Sequence, residues 1–420
     1  MVIMTETVRD IEKNLPTDWI LTSFENILSE PIRNGIYKKK DFHGRGVKVV
    51  NMGELFLYDF IENQDMKKVE LTSNEIDKYC LKEGDLLFAR RSLILEGSGK
   101  CSIVRKTEEL TTFESSIIRA RPNKDKVSSG YLFYLFKSTI GRDIVQSIAT
   151  RTAVSGIRGS ELAKLVVPIP PKSIQFKITS ILSAYDYLIE NNLRRIKILE
   201  EMAQNLYREW FVNFRFPGHE NTRFVDSPLG KIPEGWEVVK LGDLIKIRKG
   251  KNITKNTVVE GLIPVIAGGK SPAYYHNESN TKHPVVTISA SGANAGFVWL
   301  HYENVWASDC SVIDIDTTQH VYYYYLQLKD RKVEVDNLQR GAAQPHVYPK
   351  DLMGLETIEM PSVLLDRFSL EVSPLFQMIG NLYRKNQNLR QTGELLLPKL
   401  ISGEVDVSGL DIKVPEEVVS

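Results

Sequence analysis

Cysteine is scarce: Cys80, Cys101 and Cys310 are the only three in 420 residues, and none has metal-ligand spacing to another. Thiols this sparse exclude a disulfide framework and fit a reducing compartment, so a cytoplasmic location is expected. No apolar run reaches 18 residues, and residues 1–14 are charged without an apolar core. Neither a membrane partner nor a secretory leader is therefore expected. Neither sign of charge dominates, with 54 Lys and Arg against 53 Asp and Glu. A net charge of +1 excludes a uniformly basic nucleic-acid binder, although it leaves room for patches. With 42% hydrophobic and 25% charged residues the chain is globular, and it is too long for one ordinary core.

The motifs of catalysis are missing too. Glu96-Gly97-Ser98-Gly99-Lys100-Cys101 resembles a phosphate-binding loop, but Ile94 stands where the first glycine belongs and Cys101 where Ser or Thr is needed. Ser289-Ala290-Ser291-Gly292-Ala293-Asn294-Ala295-Gly296 is small and turn-forming, yet it precedes the strand-like Phe297-Val298-Trp299 instead of a helix, which excludes a dinucleotide site. The seven histidines form no H-E-x-x-H and no cluster with cysteine, so no metal site is expected. The adenine-methyltransferase tetrapeptide and the common nuclease pattern are both missing. These absences point to a recognition protein with no catalytic residues and no cofactor of its own.

What is there is a repeat. Leu15-Pro16-Thr17-Asp18-Trp19 returns as Ile232-Pro233-Glu234-Gly235-Trp236, and each opens a mixed segment that ends in a proline followed by a long helical pattern. Glu161, Leu162, Leu165 and Pro171 recur 190 positions later as Asp351, Leu352, Leu355 and Pro361. In the same register Ile189, Asn191, Arg194, Leu199 and Leu206 recur as Ile379, Asn381, Arg384, Leu389 and Leu396. The order is globule, helix, globule, helix. From Trp to the shared Leu the first globule spans 143 residues and the second 116, as two domains of one fold with different loops would.

In the first globule, strands are expected at 47–50, 85–89, 101–104 and 115–118, and one helix from Tyr131 through Ile144. In the second, strands are expected at 285–288, 296–299 and 311–315 and a helix at 321–326. After Pro171 apolar residues fall at Ile178, Leu182, Tyr185, Ile189, Ile196, Leu199, Ala203, Leu206 and Trp210, with Asn192 in the remaining slot. After Pro361 they fall at Phe368, Val372, Leu375, Ile379, Leu382, Leu389, Leu396 and Leu400, with Asn386 and Gly393 as exceptions. Steps alternating four and three are a coiled-coil seam, and a single polar seam residue in a helix commonly fixes register. Parallel and antiparallel pairing are both open on connectivity, and a closed two-fold arrangement favours the second. The aromatic cluster Trp210, Phe211, Phe214 and Phe216 either packs beneath the second globule or docks a partner.

Arg33, Lys38, Lys39, Lys40, Arg45 and Lys48 face only Asp41 within their run, and Arg248, Lys249, Lys251 and Lys255 hold the matching place in the second globule. A charge run is ordinarily a solvated face, but its repetition in both halves favours a binding role.

The junctions resemble a known family, the specificity (S) subunit of type I restriction-modification systems. The resemblance is carried by 206–218, Leu-Tyr-Arg-Glu-Trp-Phe-Val-Asn-Phe-Arg-Phe-Pro-Gly, by Ile232-Pro233-Glu234-Gly235-Trp236, by Trp306-Ala307-Ser308-Asp309, and by 397–405, Leu-Pro-Lys-Leu-Ile-Ser-Gly-Glu-Val. It covers nearly the whole chain. It implies an α+β fold: two target-recognition domains of one mixed α/β fold, separated by two long helices pairing as an antiparallel coiled coil with pseudo-two-fold symmetry. The expected divisions are 1–171 and 217–361 for the recognition domains, 172–216 and 362–403 for the helices, and 404–420 for a tail.

The resemblance further implies a non-catalytic subunit that reads a bipartite, asymmetric site on double-stranded DNA, one half per globule, with helices that fix the spacer and dock two methyltransferase (M) subunits. Restriction (R) subunits would join them, with S-adenosylmethionine and ATP bound on the partners. Bases are distinguished by Arg, Lys, Asn, Gln and Ser, and phosphates by Lys, Arg and backbone N–H. The candidate DNA contacts are accordingly Lys38, Lys39, Lys40, Arg45, Arg90, Arg91 and Lys100 in the first globule. In the second they are Arg248, Lys249, Lys251, Lys270, Tyr274, Tyr275, Ser289, Ser291 and Asn294, with at least one of the two tyrosines more readily a core aromatic. The loops 151–158 and 340–346 occupy matching places and both begin with Arg, which marks either a common turn or a DNA contact in each globule. The competing class is a protein-binding scaffold with duplicated recognition domains.

Overall fold

A computed structural model describes residues 2–150, 155–341 and 344–412. The chain packs as two units, residues 1–190 with 387–420 and residues 191–386. Each unit is thus one globule with half of each long helix.

The strands of the first unit are β1 (Ile20–Ser23), β2 (Leu28–Asn34), β3 (His43–Val50), β4 (Phe60–Ile61), β5 (Lys68–Val69), β6 (Leu86–Ala89), β7 (Arg91–Ser92), β8 (Cys101–Val104), β9 (Thr111–Phe113), β10 (Ile117–Pro122), β11 (Ser155–Gly156) and β12 (Val166–Ile169). Its main sheet has the order β2-β10-β6-β8-β4, beside a smaller sheet β5-β3-β9 and the pairs β1-β12 and β11-β7. Alternation along β6 and β10 sends Leu86, Phe88, Ile118 and Ala120 into one core with the helices, and Leu87, Ala89 and Ile117 into another with Val50, Leu55 and Phe113. Both faces are covered, which is why these strands read as unbroken apolar runs.

The expected helix 131–144 is two helices, Ser129–Lys137 and Thr139–Gln146. Ser138 breaks it: its hydroxyl donates to the Leu135 carbonyl at 2.6 Å and accepts the Gly141 N–H at 3.1 Å, capping the second helix. A Cβ on Gly141 would lie 1.9 Å from the Leu135 carbonyl oxygen, so only glycine permits this corner. Apolar periodicity runs through the break because both helices bury the same face.

The second unit continues with β13 (Phe224–Ser227), β14 (Gly230–Pro233), β15 (Glu237–Lys240), β16 (Arg248–Lys249), β17 (Ile263–Ile266), β18 (Tyr274–His276), β19 (Val285–Ser289), β20 (Val298–His301), β21 (Trp306–Ala307), β22 (Cys310–Asp314) and β23 (Glu356–Glu359). Its sheets are β16-β22-β19-β20 and β18-β17-β21, with the pairs β13-β14 and β15-β23. β16-β22-β19-β20 repeats β2-β10-β6-β8, β18-β17-β21 repeats β5-β3-β9 with the same parallel and antiparallel pairings, and β15-β23 repeats β1-β12. The expected strand at 296–299 starts at Val298, and the helix begun at Val321 runs to Asp330.

The long helices span Lys172–Tyr207 and Ser362–Ser402. Their halves run antiparallel in each unit. In the second, Asn192 Nδ2 donates to Asn386 Oδ1 at 2.7 Å, while further up the first helix and further down the second the rings of Trp210 and Phe368 lie 5.6 Å apart. In the first, Ile178 and Leu182 share a core with Leu396 and Leu400, and Tyr185 and Ile189 line a small cavity with Leu389 and Gly393. The two polar seam residues, one per helix, are therefore each other's partner. Pairing one amide with the other satisfies a buried group that an aliphatic neighbour would strand.

After the first helix comes a π-helical turn, Arg208–Val212, and then Phe214 with φ 55°. Trp210 and Phe211 are buried against Phe368, Phe211 meets Tyr323 edge-on at 4.9 Å, and Phe216 stacks on Trp236 at 5.4 Å. These aromatics are core of the second unit and not a partner face. In the first unit the end of the second helix does the same with Leu396, Leu397, Leu400 and Ile401, and a Cβ on Gly403 (φ +78°) would strike the Pro16 ring.

Candidate nucleic-acid interface

Matching backbone hydrogen bonds place the loops of the two globules in one frame. Gly99 N–H donates to the Ala89 carbonyl as Gly296 donates to Ser289, and Ile157 donates to Arg90 as Val347 donates to Ala290. Gly35 donates to Ile117 as Gly250 donates to Cys310. Both globules thus carry an Arg-X-Gly turn, Arg33-Asn34-Gly35 and Arg248-Lys249-Gly250, and its glycine is dictated by close approach. A Cβ would fall 2.1 Å from the Glu114 carbonyl oxygen in the first and 2.3 Å from that of Ser308 in the second.

In this frame, several first-globule candidates already have partners within the chain. Lys38 donates to Glu75 at 2.7 Å and lies over the Phe42 ring, and Arg45 forks onto Glu70. Lys100 donates to the Phe56 carbonyl at 2.6 Å and sits 3.6 Å from Asp59; burial lowers its pKa, and the Asp59 charge opposes that shift. The partners of Lys38 and Arg45 lie outside the 33–48 run, which on its own contains only Asp41 in opposition. Lys39, Lys40 and Arg91 are exposed. Arg90 lines an open groove of about 810 Å³ with Asn34, which the sequence did not single out, and with Arg158, the last residue of the 151–158 loop. The shared register of 157 and 347 aligns that loop with 340–346 of the second globule. Residues 151–154 of the neighbouring loop lie outside the described residues, as do 342 and 343 of the second loop and 413–420 of the tail.

In the second globule Arg248 is tied to Asp314, and Ser289 is buried within β19, so neither presents a free side chain. Ser291 bonds to Asp309, and its backbone bridges to His346; Asn294 donates to the Gly268 carbonyl at 3.2 Å. A Cβ on Gly268 would touch the Ser291 carbonyl at 2.9 Å and the Ser289 hydroxyl at 3.5 Å. The structure thus gathers Ser289, Ser291 and Asn294 around the 268 turn, close to Lys270, which lies over the Phe297 ring at 5.4 Å. Lys249 and Lys251 are exposed, the latter over Trp306. Tyr274 and Tyr275 are both exposed, at 38% and 56%, so neither is a core residue.

Two sets of strands in one topology, joined by antiparallel helices, define a duplicated recognition protein, and the comparisons with known proteins give its family. Residues 28–201 and 233–362 match the type I restriction modification DNA specificity domain, and the chain belongs to that family. It is similar to the type I restriction enzyme MjaIX specificity subunit of Methanocaldococcus jannaschii, at 26% identity over 428 residues and 96% of each chain. A putative MjaX specificity subunit of the same organism is 32% identical over 282 residues, covering 67% of this chain and 61% of that one. Among solved structures, the type I restriction-modification S subunit from M. genitalium has the same fold, with a TM-score of 0.57 at 16% identity over 92% of this chain and 96% of that one. Among the described residues no helix is long and apolar enough to cross a membrane.

Proposed function

We propose that this subunit selects a bipartite DNA sequence, each globule reading one half, and that it catalyses no step itself. The carrying observation is that the globules keep one topology and the same backbone hydrogen bonds while matched side chains differ. Arg90, Arg91 and Lys100 of the first stand where Ala290, Ser291 and Phe297 stand in the second. A scaffold kept in common with contacts that diverge suits two unlike half-sites better than a palindrome. The unread spacer between the half-sites is set by the paired helices.

The helices also hold two methyltransferase subunits, joined by restriction subunits, and S-adenosylmethionine and ATP are bound on those partners. The large apolar side chains exposed on the helices support this docking role: Tyr187, Leu188, Leu193, Ile198 and Met202 on the first, and Leu370, Met378, Tyr383 and Leu395 on the second.

The test is binding by the chain assembled with its methyltransferase partner. One two-part duplex sequence is bound far more tightly than random DNA, and affinity falls as salt rises. Replacing Lys39, Lys40 and Arg91, or Lys249, Lys251 and Lys270, by Gln flattens the salt dependence. Exchanging residues 15–160 with those of another such subunit changes one half-site only. Equal affinity for all duplexes at every salt concentration overturns the proposal and favours a protein-binding scaffold.

A further inference from the structure

The loop between β6 and β8 is three residues longer than its counterpart between β19 and β20. With Arg90 matched to Ala290, Arg91 to Ser291 and Gly99 (φ +70°) to Gly296 (φ +82°), the extra residues are Ser92, Leu93 and Ile94. Two of them are aliphatic and stand in solvent, Leu93 at 86% exposure and Ile94 at 63%. The second globule has only Gly292, Ala293 and Asn294 at its tip.

The tip is held. The Ile94 N–H donates to the Ser92 hydroxyl at 3.2 Å, and the Gly97 N–H donates to the Ile94 carbonyl at 3.1 Å. Arg142 reaches from its helix to donate to the carbonyls of Glu96 and Ser98. A Cβ on Gly97 would lie 2.1 Å from Ser92 Oγ, so the turn closes only around glycine. Beside the tip, β7 pairs with β11, which leads to Arg158, itself 74% exposed and lining one groove with Arg90. Exposed aliphatics on a braced loop cost solvation without contributing to the core. Arginines flanking them supply phosphate contacts, and leucine or isoleucine is the kind of side chain that enters and unstacks a base step.

We infer that Leu93 and Ile94 form an apolar wedge that opens one base step in the half-site read by the first globule, and that the second globule opens none. The inference rests on the DNA-reading role proposed above, and its test separates the two. The chain assembled with its methyltransferase partner is bound to its methylation-defined site, with 2-aminopurine replacing one adenine at a time other than the base methylated in each half-site, which the methyltransferase itself takes out of the stack. The first globule's half-site is the one that changes when residues 15–160 are exchanged. There one position brightens several-fold on binding, and none brightens in the other half. Leu93→Ser/Ile94→Ser abolishes that signal and weakens site binding about tenfold, while co-elution with the partner is unchanged. Specific binding with no brightened position overturns the wedge, and so does brightening that survives the double substitution. So does a variant that loses the partner but keeps its DNA affinity, since the tip is then a protein contact. A complex with no preferred sequence overturns the DNA-reading role itself.

Discussion

The two globules solve one topology with opposite placement of charge. In the first, β10 carries Arg119 and Arg121 inward: Arg119 is 1% exposed and bound to Glu30, while Arg121 bonds to Glu30 and to buried Asp85. In the second, the matching strand β22 carries Val312 and Asp314, and the acid pairs outward with Arg248. The arginine of the Arg-X-Gly turn stays while its surroundings exchange sign. Strand order and the glycine that admits the turn are thus what the fold requires. Which charges are buried beneath it is free to vary, provided each is paired, because an unpaired buried charge costs several kcal/mol.

The comparison breaks most sharply at the helix seam. Phe368 and Ile178 hold the same repeat position, but Phe368 packs its ring against those of Tyr207, Trp210, Phe211 and Tyr323, while the smaller aliphatic Ile178 lies in the first unit's core with Leu182, Tyr131 and Phe133. Phe368→Ala is expected to cost about 3–5 kcal/mol and Ile178→Ala about 2–4 kcal/mol, as read by denaturant unfolding with hydrogen exchange resolved for each unit. Gly35→Ala and Gly250→Ala test the shared turn. Each forces a Cβ into a carbonyl oxygen, so losses of about 2–3 kcal/mol, similar in the two globules, are expected from thermal melts.

Acid separates the units. Burial alone holds the His301 imidazole down to about 3, and burial also lowers His283 and His320, those two against smaller opposing contributions. The unfolded chain takes up these protons below pH 6.5 and the folded second unit does not, so its stability falls as pH drops from 6.5 toward 3. For His301 alone this amounts to about 2 kcal/mol between pH 7 and pH 5. His43 is the one histidine of the first unit. The carboxyl of Asp59 is penalised by burial, but Lys137 and Lys100 outweigh that and hold its pKa down. The first unit therefore keeps this contribution until pH falls below about 4. Amide exchange at pH 7, 6 and 5 should loosen residues 191–386 first; uniform loosening refutes the assignment. The smallest effect is at the asparagine pair. Asn386→Leu strands the Asn192 amide and costs about 1–2 kcal/mol, and the double change to Leu recovers it, as a double-mutant cycle will show.

Much of this was legible because it is periodic. The alternating steps of four and three located most of the seam, including the two asparagines that bond, but not Tyr207 and Phe376, which are buried one place beyond the expected Leu206 and Leu375. The strands flanking the loops were legible as apolar runs covered on both faces. What was not legible depends on distance along the chain: Lys38 meets Glu75 and Lys100 meets Asp59 through the fold, and nothing local marks either pair. Ser138 ended a helix inside an unbroken apolar pattern because a hydroxyl cap and a bare glycine override periodicity. Tyr274 and Tyr275 were candidate contacts, at least one of them more readily core by its residue type, but β18 is the edge of its small sheet and leaves both in solvent. The three-residue insertion became visible only once two glycines of positive φ aligned the loops.

The end of the second helix belongs to the core of the first unit, where Leu400, Ile401 and Val407 pack with Val8 and Ile178. The second unit is one unbroken stretch of chain, but the first draws on both ends of it. On the ribosome, residues 191–386 are complete while the first unit still lacks part of its apolar centre. The earlier-made residues of the first unit therefore wait for 387–407 before their core is complete, and a chain cut before residue 400 is expected to keep a sound second unit beside an unfinished first one.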